Sequence, residues 1–190
     1  MLKKSSQYTG IAPKRSFFST LAADVFVAVV CAVIMLQIIR PIVVRQTSME
    51  NTLSEGDYMI LYKLAYMNHA PERGDIVIFK SDLYDPSYGK KEHLIKRVIG
   101  LPGDVIEIKD DQLYLNGEEY HEDYILSGRT PAIDLPCEGD SYKVPEDCYF
   151  CMGDNREGSL DSRSAEIGSV PFKEIEGKVV VRLFPERKTF

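Results

Sequence analysis

Between Leu21 and Ile39 the chain reads LAADVFVAVVCAVIMLQII, interrupted only by Asp24 near its start and Gln37 near its end. A helix needs about 20 residues to cross the hydrocarbon core of a bilayer, and Phe17 and Phe18 lengthen this run at the front. Lys14 and Arg15 precede it, and Arg40-Pro41 close it. Basic residues favour the cytoplasmic side; Lys3, Lys4, Lys14 and Arg15 outweigh Arg40 and Arg45. The expected organisation is a cytoplasmic tail over 1–16, an anchor helix over 17–40 and an extracytoplasmic body over 41–190, a single-pass protein of the cell membrane. Two other readings compete. A cleaved leader has an apolar stretch of about 7–15 residues followed by small residues, whereas here Arg40-Pro41 and a β-branched run follow. A buried helix of a soluble protein is kept open by Asp24 and Gln37.

Charge is split along the chain. Met1–Thr47 holds Lys3, Lys4, Lys14, Arg15, Arg40 and Arg45 against Asp24 alone; subtracting these from 23 basic and 29 acidic residues leaves 17 and 28, a net −11. A body so acidic lacks the clustered Lys and Arg that follow a phosphate backbone, so nucleic acid is not an expected partner. Hydrophobic residues make up 44% of the chain, enough for one real core.

Past Arg40 the pattern turns to short β-rich runs separated by turns: Ile42–Val44, Asp57–Tyr62, Asp75–Phe79, Leu94–Ile99, Asp104–Ile108, Gln112–Leu115, Cys148–Met152 and Lys178–Phe184. Asp110-Asp111 reads as a hairpin turn, and Asn116-Gly117 is the strongest short turn signal available. Ser81–Lys91 and Ser127–Asp140, rich in Asp, Ser, Gly and Pro, read as loops. A mainly β domain with long excursions is expected.

None of the three histidines, His69, His93 and His121, sits in a serine-hydrolase context, and neither G-x-S-x-G nor H-E-x-x-H occurs. Serine can instead be activated by lysine. Lysine titrates near 10.4 in water, and bringing it close to neutrality costs about 4 kcal/mol of desolvation or repulsion. Such a lysine needs apolar company, and Lys96 has it within Leu94-Ile-Lys-Arg-Val-Ile99. From its surroundings alone, a strand lysine with its amine in solvent fits Lys96 equally well.

Four blocks then stand in order: Ser48-Met-Glu-Asn-Thr-Leu53, Arg73-Gly-Asp-Ile-Val77, Lys96-Arg-Val-Ile-Gly-Leu-Pro-Gly-Asp104 and Gly153-Asp-Asn-Arg-Glu-Gly-Ser-Leu-Asp-Ser-Arg163. Together they resemble the type I signal peptidase family, and with the anchor they span most of the chain. The resemblance implies a membrane-bound serine endopeptidase that removes signal peptides from exported preproteins, with a single transmembrane helix ahead of an all-β catalytic domain. It implies Ser48 as nucleophile and Lys96 as general base, working through an acyl-enzyme. Ser159 would bond and orient the Lys96 amine, and Asp161 and Arg163 would form a bracing ion pair with Arg97 as a second partner of Asp161. The oxyanion would be held by the Ser48 backbone N–H. Many Gram-negative-type members add a serine hydroxyl two residues before the nucleophile; Gln46 stands there instead. Asn51 occupies the position where the family usually carries proline.

Substrates of the family carry small residues before the cut, so shallow apolar pockets are expected around Ile42, Val44, Leu53 and Ile95, with the peptide bound as an added strand. Each of the four could equally be an ordinary core residue. The partners implied are signal peptides and the lipid bilayer, with the enzyme a monomer. No metal or organic cofactor is implied, since no ligand cluster with suitable spacing occurs. Cys31 reads as a small hydrophobe, and a bridge from Cys137 to Cys148 or Cys151 is left open, with buried thiols favoured. Two different functions remain conceivable: a soluble self-cleaving repressor with the same chemistry, and a catalytically silent membrane-tethered module that binds signal sequences or assembles surface proteins. The anchor and the Gly153–Arg163 block weigh against the first; only Gln46 and Asn51 favour the second.

Overall fold

The computed structural model describes residues 17–85, 89–134 and 141–190, so the expected tail over 1–16 and Cys137 fall outside it. Helix α1 spans Phe17–Ile38. None of its apolar window, Thr20–Ile38, is buried by protein. A helix apolar on all sides suits a nonaqueous surround, and a single-pass anchor is consistent with this helix. The helix stops two residues short of the expected Arg40, because Ile39 already pairs with Tyr62 in a sheet.

The rest of the chain is a separate unit, Ile38–Phe190. Its strands are β1 (Ile39–Val43), β2 (Tyr58–Tyr62), β3 (Ile76–Asp85), β4 (Lys90–Gly100), β5 (Val105–Lys109), β6 (Gln112–Leu115), β7 (Glu118–Glu119), β8 (Ser141–Lys143), β9 (Cys148–Met152), β10 (Val170–Pro171), β11 (Ile175–Phe184) and β12 (Lys188–Thr189). Among the described residues the larger sheet runs β1-β2-β11-β3-β4-β9-β10 with β12 on β11, and a smaller sheet runs β7-β6-β5-β8. Every pairing is antiparallel.

The continuous run Ile76-Val-Ile-Phe79 explains the centre of the larger sheet. Side chains of a strand alternate faces, and both faces of β3 are covered. Ile76 and Ile78 join Val44, Met49, Leu53, Met59, Leu61 and Val179 on one side. Val77 and Phe79 join Leu94, Val98, Tyr149, Cys151 and Val170 on the other. A third cluster, built on Ile99, Ile106, Leu113, Val144, Phe150 and Met152, joins the smaller sheet to β4 and β9. Asp110 and Asp111 both have positive φ (51° and 61°), as do Asn116 and Gly117 (56° and 84°), the conformation that two-residue hairpin turns require.

Ser81–Lys91 departs from its expected loop. Ser81–Asp85 extend β3 and Lys90–Lys91 open β4, pairing as Tyr84↔Lys91 and Asp85↔Lys90. Polar composition suggested a loop, but the arm keeps strand alternation, with Ser81 and Leu83 turned inward and Asp82 and Tyr84 outward. Cys31, Cys148 and Cys151 are free thiols; Cys151 packs in one cluster and Cys148 against another, as expected of residues three apart on a strand.

Candidate active site

Ser48 opens a tight turn after β1. The Glu50 amide donates to the Thr47 carbonyl, and the Thr52 and Leu53 amides both donate to the Met49 carbonyl. Asn51 lies in that turn at φ 88°. A four-residue turn with positive φ at its third residue favours Gly or Asn there, whereas proline is locked near −65°. The departure from the usual proline therefore goes with a different turn geometry, which the Asn51 side chain fastens by donating to the Tyr124 carbonyl at 2.9 Å. On the other side, the Asn155 amide N–H donates to the Ser48 carbonyl at 3.1 Å, and Asn155 Nδ2 donates to the Thr47 carbonyl at 3.2 Å.

Lys96 projects from β4, and its Nζ lies 2.6 Å from Ser48 Oγ. Both side chains are nearly shut off from solvent, Ser48 at 7% exposure and Lys96 at 1%. Burial drives the Lys96 amine down from its ordinary value to about 8, while the charges of Asp161 and Glu92 partly oppose the shift. A neutral amine at hydrogen-bond distance from a hydroxyl can take its proton near neutrality.

Asp161 and Arg163 form a fully buried bidentate pair, Nε to Oδ1 and Nη2 to Oδ2 both at 2.9 Å. Burial raises the Asp161 carboxyl, but the hydrogen bonds and charge of Arg163 outweigh it and hold the group below the usual carboxylate range. The Gly153 amide also donates to Asp161. These contacts come from an irregular, turn-rich segment rather than an extended one.

Three expected placements differ. Arg97 does not partner Asp161: its Nε and Nη2 bind Asp154 Oδ1 and Oδ2 at 2.9 and 2.7 Å. Alternation on β4 sends it away from Lys96 toward the Gly74 carbonyl and the Thr52 hydroxyl. Ser159 does not bond the Lys96 amine. Its buried hydroxyl lies instead beside Asp161, helping to hold that carboxyl down, and it packs on Gly153, where a Cβ would come within 2.3 Å of Ser159 Oγ. Gln46 donates its amide to Glu92, so that contact joins the segment leading into the Ser48 turn to β4 and is engaged before any oxyanion forms.

The four pocket candidates divide. Ile42 and Ile95 are partly buried and line an open groove of about 420 Å³, together with Pro41, Gln46, Ile78 and Glu92. Val44 and Leu53 are 2% and 0% exposed and belong to the core beneath it. Neither Ser48 nor Lys96 lines this groove, but Lys96 follows Ile95 directly in sequence and Ser48 stands two residues after Gln46.

Sequence reasoning passed over several residues that build the site. Asp154, Asn155 and Arg156 lie inside the quoted Gly153–Arg163 block, which was their signal. Arg156, 1% exposed, binds both oxygens of Glu122 and the Thr130 hydroxyl, and its Nε donates to the Gly153 carbonyl at 2.9 Å. Glu122, Tyr124 and Thr130 stand in an irregular segment with no motif to mark them. The described residues contain no cluster of His, Cys, Asp and Glu able to hold a metal ion.

An antiparallel β domain behind one apolar helix, with a buried serine and lysine in contact, is an arrangement that fits the class of serine hydrolases in which lysine stands in for histidine. The comparisons narrow that class. The sequence profile described as Signal peptidase, peptidase S26, matches residues 17–184. A signal peptidase I of Bacillus licheniformis is 38% identical over 176 residues, covering 90% of this chain and 91% of its own. A signal peptidase I of Bacillus caldolyticus is 39% identical over 169 residues, covering 84% and 88%. A crystal structure of a signal peptidase I from Enterococcus faecalis matches 57% of this chain and 96% of its own at 34% identity and a TM-score of 0.41. The chain belongs to the signal peptidase family, peptidase S26, serine peptidases that cleave signal peptides from preproteins.

Proposed function

We propose that Ser48 attacks the scissile carbonyl of a signal peptide and that Lys96 serves as its general base. The supporting observation is the 2.6 Å contact between Lys96 Nζ and Ser48 Oγ, around an amine lowered by burial to about 8. The neutral amine takes the hydroxyl proton as the Oγ–C bond forms. It then returns that proton to the departing amine of the mature protein, leaving the signal peptide as an ester on Ser48. Water, deprotonated by the same amine, hydrolyses the ester and regenerates the hydroxyl. The Ser48 backbone N–H is the donor assigned to the oxyanion. Gln46 is a second candidate only if its amide releases Glu92.

The Asp161–Arg163 pair, closed to water, holds the Gly153–Arg163 segment against Ser48 and Lys96. Peptide binding uses the groove over Ile42 and Ile95, where these two side chains and Ile78 offer apolar contacts for small side chains before the cut amid a charged rim that includes Arg40, Lys91 and Glu176, with Val44 and Leu53 as its underlying support. In the membrane, residues 17–40 anchor a monomer whose tail is cytoplasmic and whose domain over 41–190 faces outward; the basic residues before Phe17 support that orientation. Its partners are signal peptides and the bilayer, not nucleic acid.

The test is preprotein processing in detergent or vesicles by the purified full chain and by Ser48→Ala and Lys96→Ala. Both variants should keep the circular dichroism of the parent and lose cleavage. Normal cleavage by either one refutes the assignment.

A further inference from the structure

Tyr124, on the irregular segment between β7 and β8, touches both halves of the Ser48–Lys96 pair's support. Its main-chain carbonyl accepts the Asn51 side-chain N–H at 2.9 Å, fastening the turn that carries Ser48. Its ring carries the Arg97 guanidinium, whose Cζ lies 4.1 Å from the ring centroid, and Arg97 follows Lys96 on β4. That guanidinium also reaches the Thr52 hydroxyl at 3.3 Å, within the same turn, and Asp154, within the segment bearing Asn155. The Tyr124 hydroxyl donates to Glu122 Oε1 at 2.6 Å. Glu122 in turn grips the buried Arg156, whose own carbonyl accepts from Arg163 Nη2 at 2.7 Å. Two residues on, the Leu126 amide donates to the Asp154 carbonyl at 3.2 Å. Burial and the neighbouring Glu122 charge push the Tyr124 phenol upward, so the hydroxyl stays a donor.

We propose that Tyr124 is a positioning residue for the cleavage reaction, its ring and carbonyl jointly fixing the Ser48 turn against the Lys96 strand. A cation over an aromatic face has a preferred height and centre, and the Asn51 turn hangs from the same residue. Ring and turn therefore cannot move independently. Asn51 gains a purpose here: a proline at that position has no side-chain N–H to offer the Tyr124 carbonyl. The inference rests on the Ser48–Lys96 assignment.

The experiment compares the full-length enzyme with Tyr124→Leu, Tyr124→Phe and Asn51→Gly, with Ser48→Ala as control. kcat and KM for a preprotein are measured well below each variant's Tm. Tyr124→Leu removes the aromatic face and the hydroxyl together. It should lower kcat by roughly ten- to a hundredfold, the scale of a misplacement near 1 Å, with KM within about twofold, since Tyr124 does not line the groove. Tyr124→Phe restores the ring under Arg97 and should recover most of that loss. Asn51→Gly tolerates the positive φ and removes only the strap, so it should lower kcat by several-fold with an unchanged far-ultraviolet spectrum. A lowered Tm with parental kcat in Tyr124→Leu, or a Phe variant as slow as the Leu variant, overturns the proposal. Full cleavage by Ser48→Ala would instead remove the reading beneath it.

Discussion

Gly153→Ala tests how tightly the catalytic constellation is packed. A Cβ built on Gly153 would stand 2.4 Å from the Ser48 carbonyl oxygen, 2.3 Å from Ser159 Oγ and 2.6 Å from Ser159 Cβ. Carbon and oxygen in ordinary contact stand about 3.5 Å apart, so the neighbours must retreat by about 1 Å. The Ser159 hydroxyl can rotate away, but its Cβ cannot, and the Ser48 carbonyl is backbone held by the Asn155 amide at 3.1 Å. Ser48 must therefore shift with its carbonyl, stretching the 2.6 Å contact to Lys96 beyond hydrogen-bond reach. Misplacement on that scale costs about a hundredfold in rate, and forcing one methyl into a packed interior costs about 1–3 kcal/mol of stability. The assay is single-turnover cleavage of a preprotein, run beside thermal unfolding. A variant with parental kcat would mean that the Ser48 turn yields without losing its geometry, and the account of Gly153 as a required close approach would fail.

Other outcomes follow from neighbouring groups. With the Lys96 amine lowered by burial to about 8, the proposed base role requires kcat/KM to rise with pH through about 8 on its acid side; a flat profile between pH 6 and 9 would contradict this. The same shift bears on stability. The folded-state value lies below the unfolded one, so stability should increase as pH rises from about 8 to about 10.5, and at neutral pH the charged amine costs on the order of 3 kcal/mol. Lys96→Met should therefore be inactive yet more heat-stable at pH 7, with the pH dependence of unfolding flattened across that window, as urea denaturation at several pH values would measure. Glu122→Ala strands the buried Arg156 charge and should destabilise the domain by about 3–5 kcal/mol, read as a lowered urea midpoint. Asn51→Pro, although it matches the family's usual residue, cannot adopt φ 88° and should lower both Tm and kcat, while Asn51→Gly should retain the Tm within a few degrees.

How much of this protein was legible beforehand depends on how locally each feature is encoded. The anchor needed only a composition run and flanking charges, because transfer into hydrocarbon is a sum over residues. The two-residue turns at Asp110-Asp111 and Asn116-Gly117 and most strands were likewise visible, since turn chemistry and alternation act within a few positions. The Asp161–Arg163 pair came with the resemblance of the Gly153–Arg163 block, and only the fold showed both residues to be closed to water. Arg97 illustrates the limit. Strand alternation sends its side chain to the face opposite Lys96, but whether Asp154 or Asp161 awaited it depended on how an irregular segment crosses the sheet. Likewise, nothing in Ser81–Lys91 distinguished an extended hairpin arm from a loop, and nothing separated Ile42 and Ile95, which line the groove, from Val44 and Leu53 beneath it.

The sequence by itself determined the chemistry available: an apolar run long enough to cross a membrane, a serine, and one lysine in apolar company. What the tertiary structure alone decided is the environment of that lysine. Its 1% exposure and its approach to Ser48 arise from strands and turns far apart along the chain. A pKa is lowered by the absence of water around the amine, and that absence is made by packing.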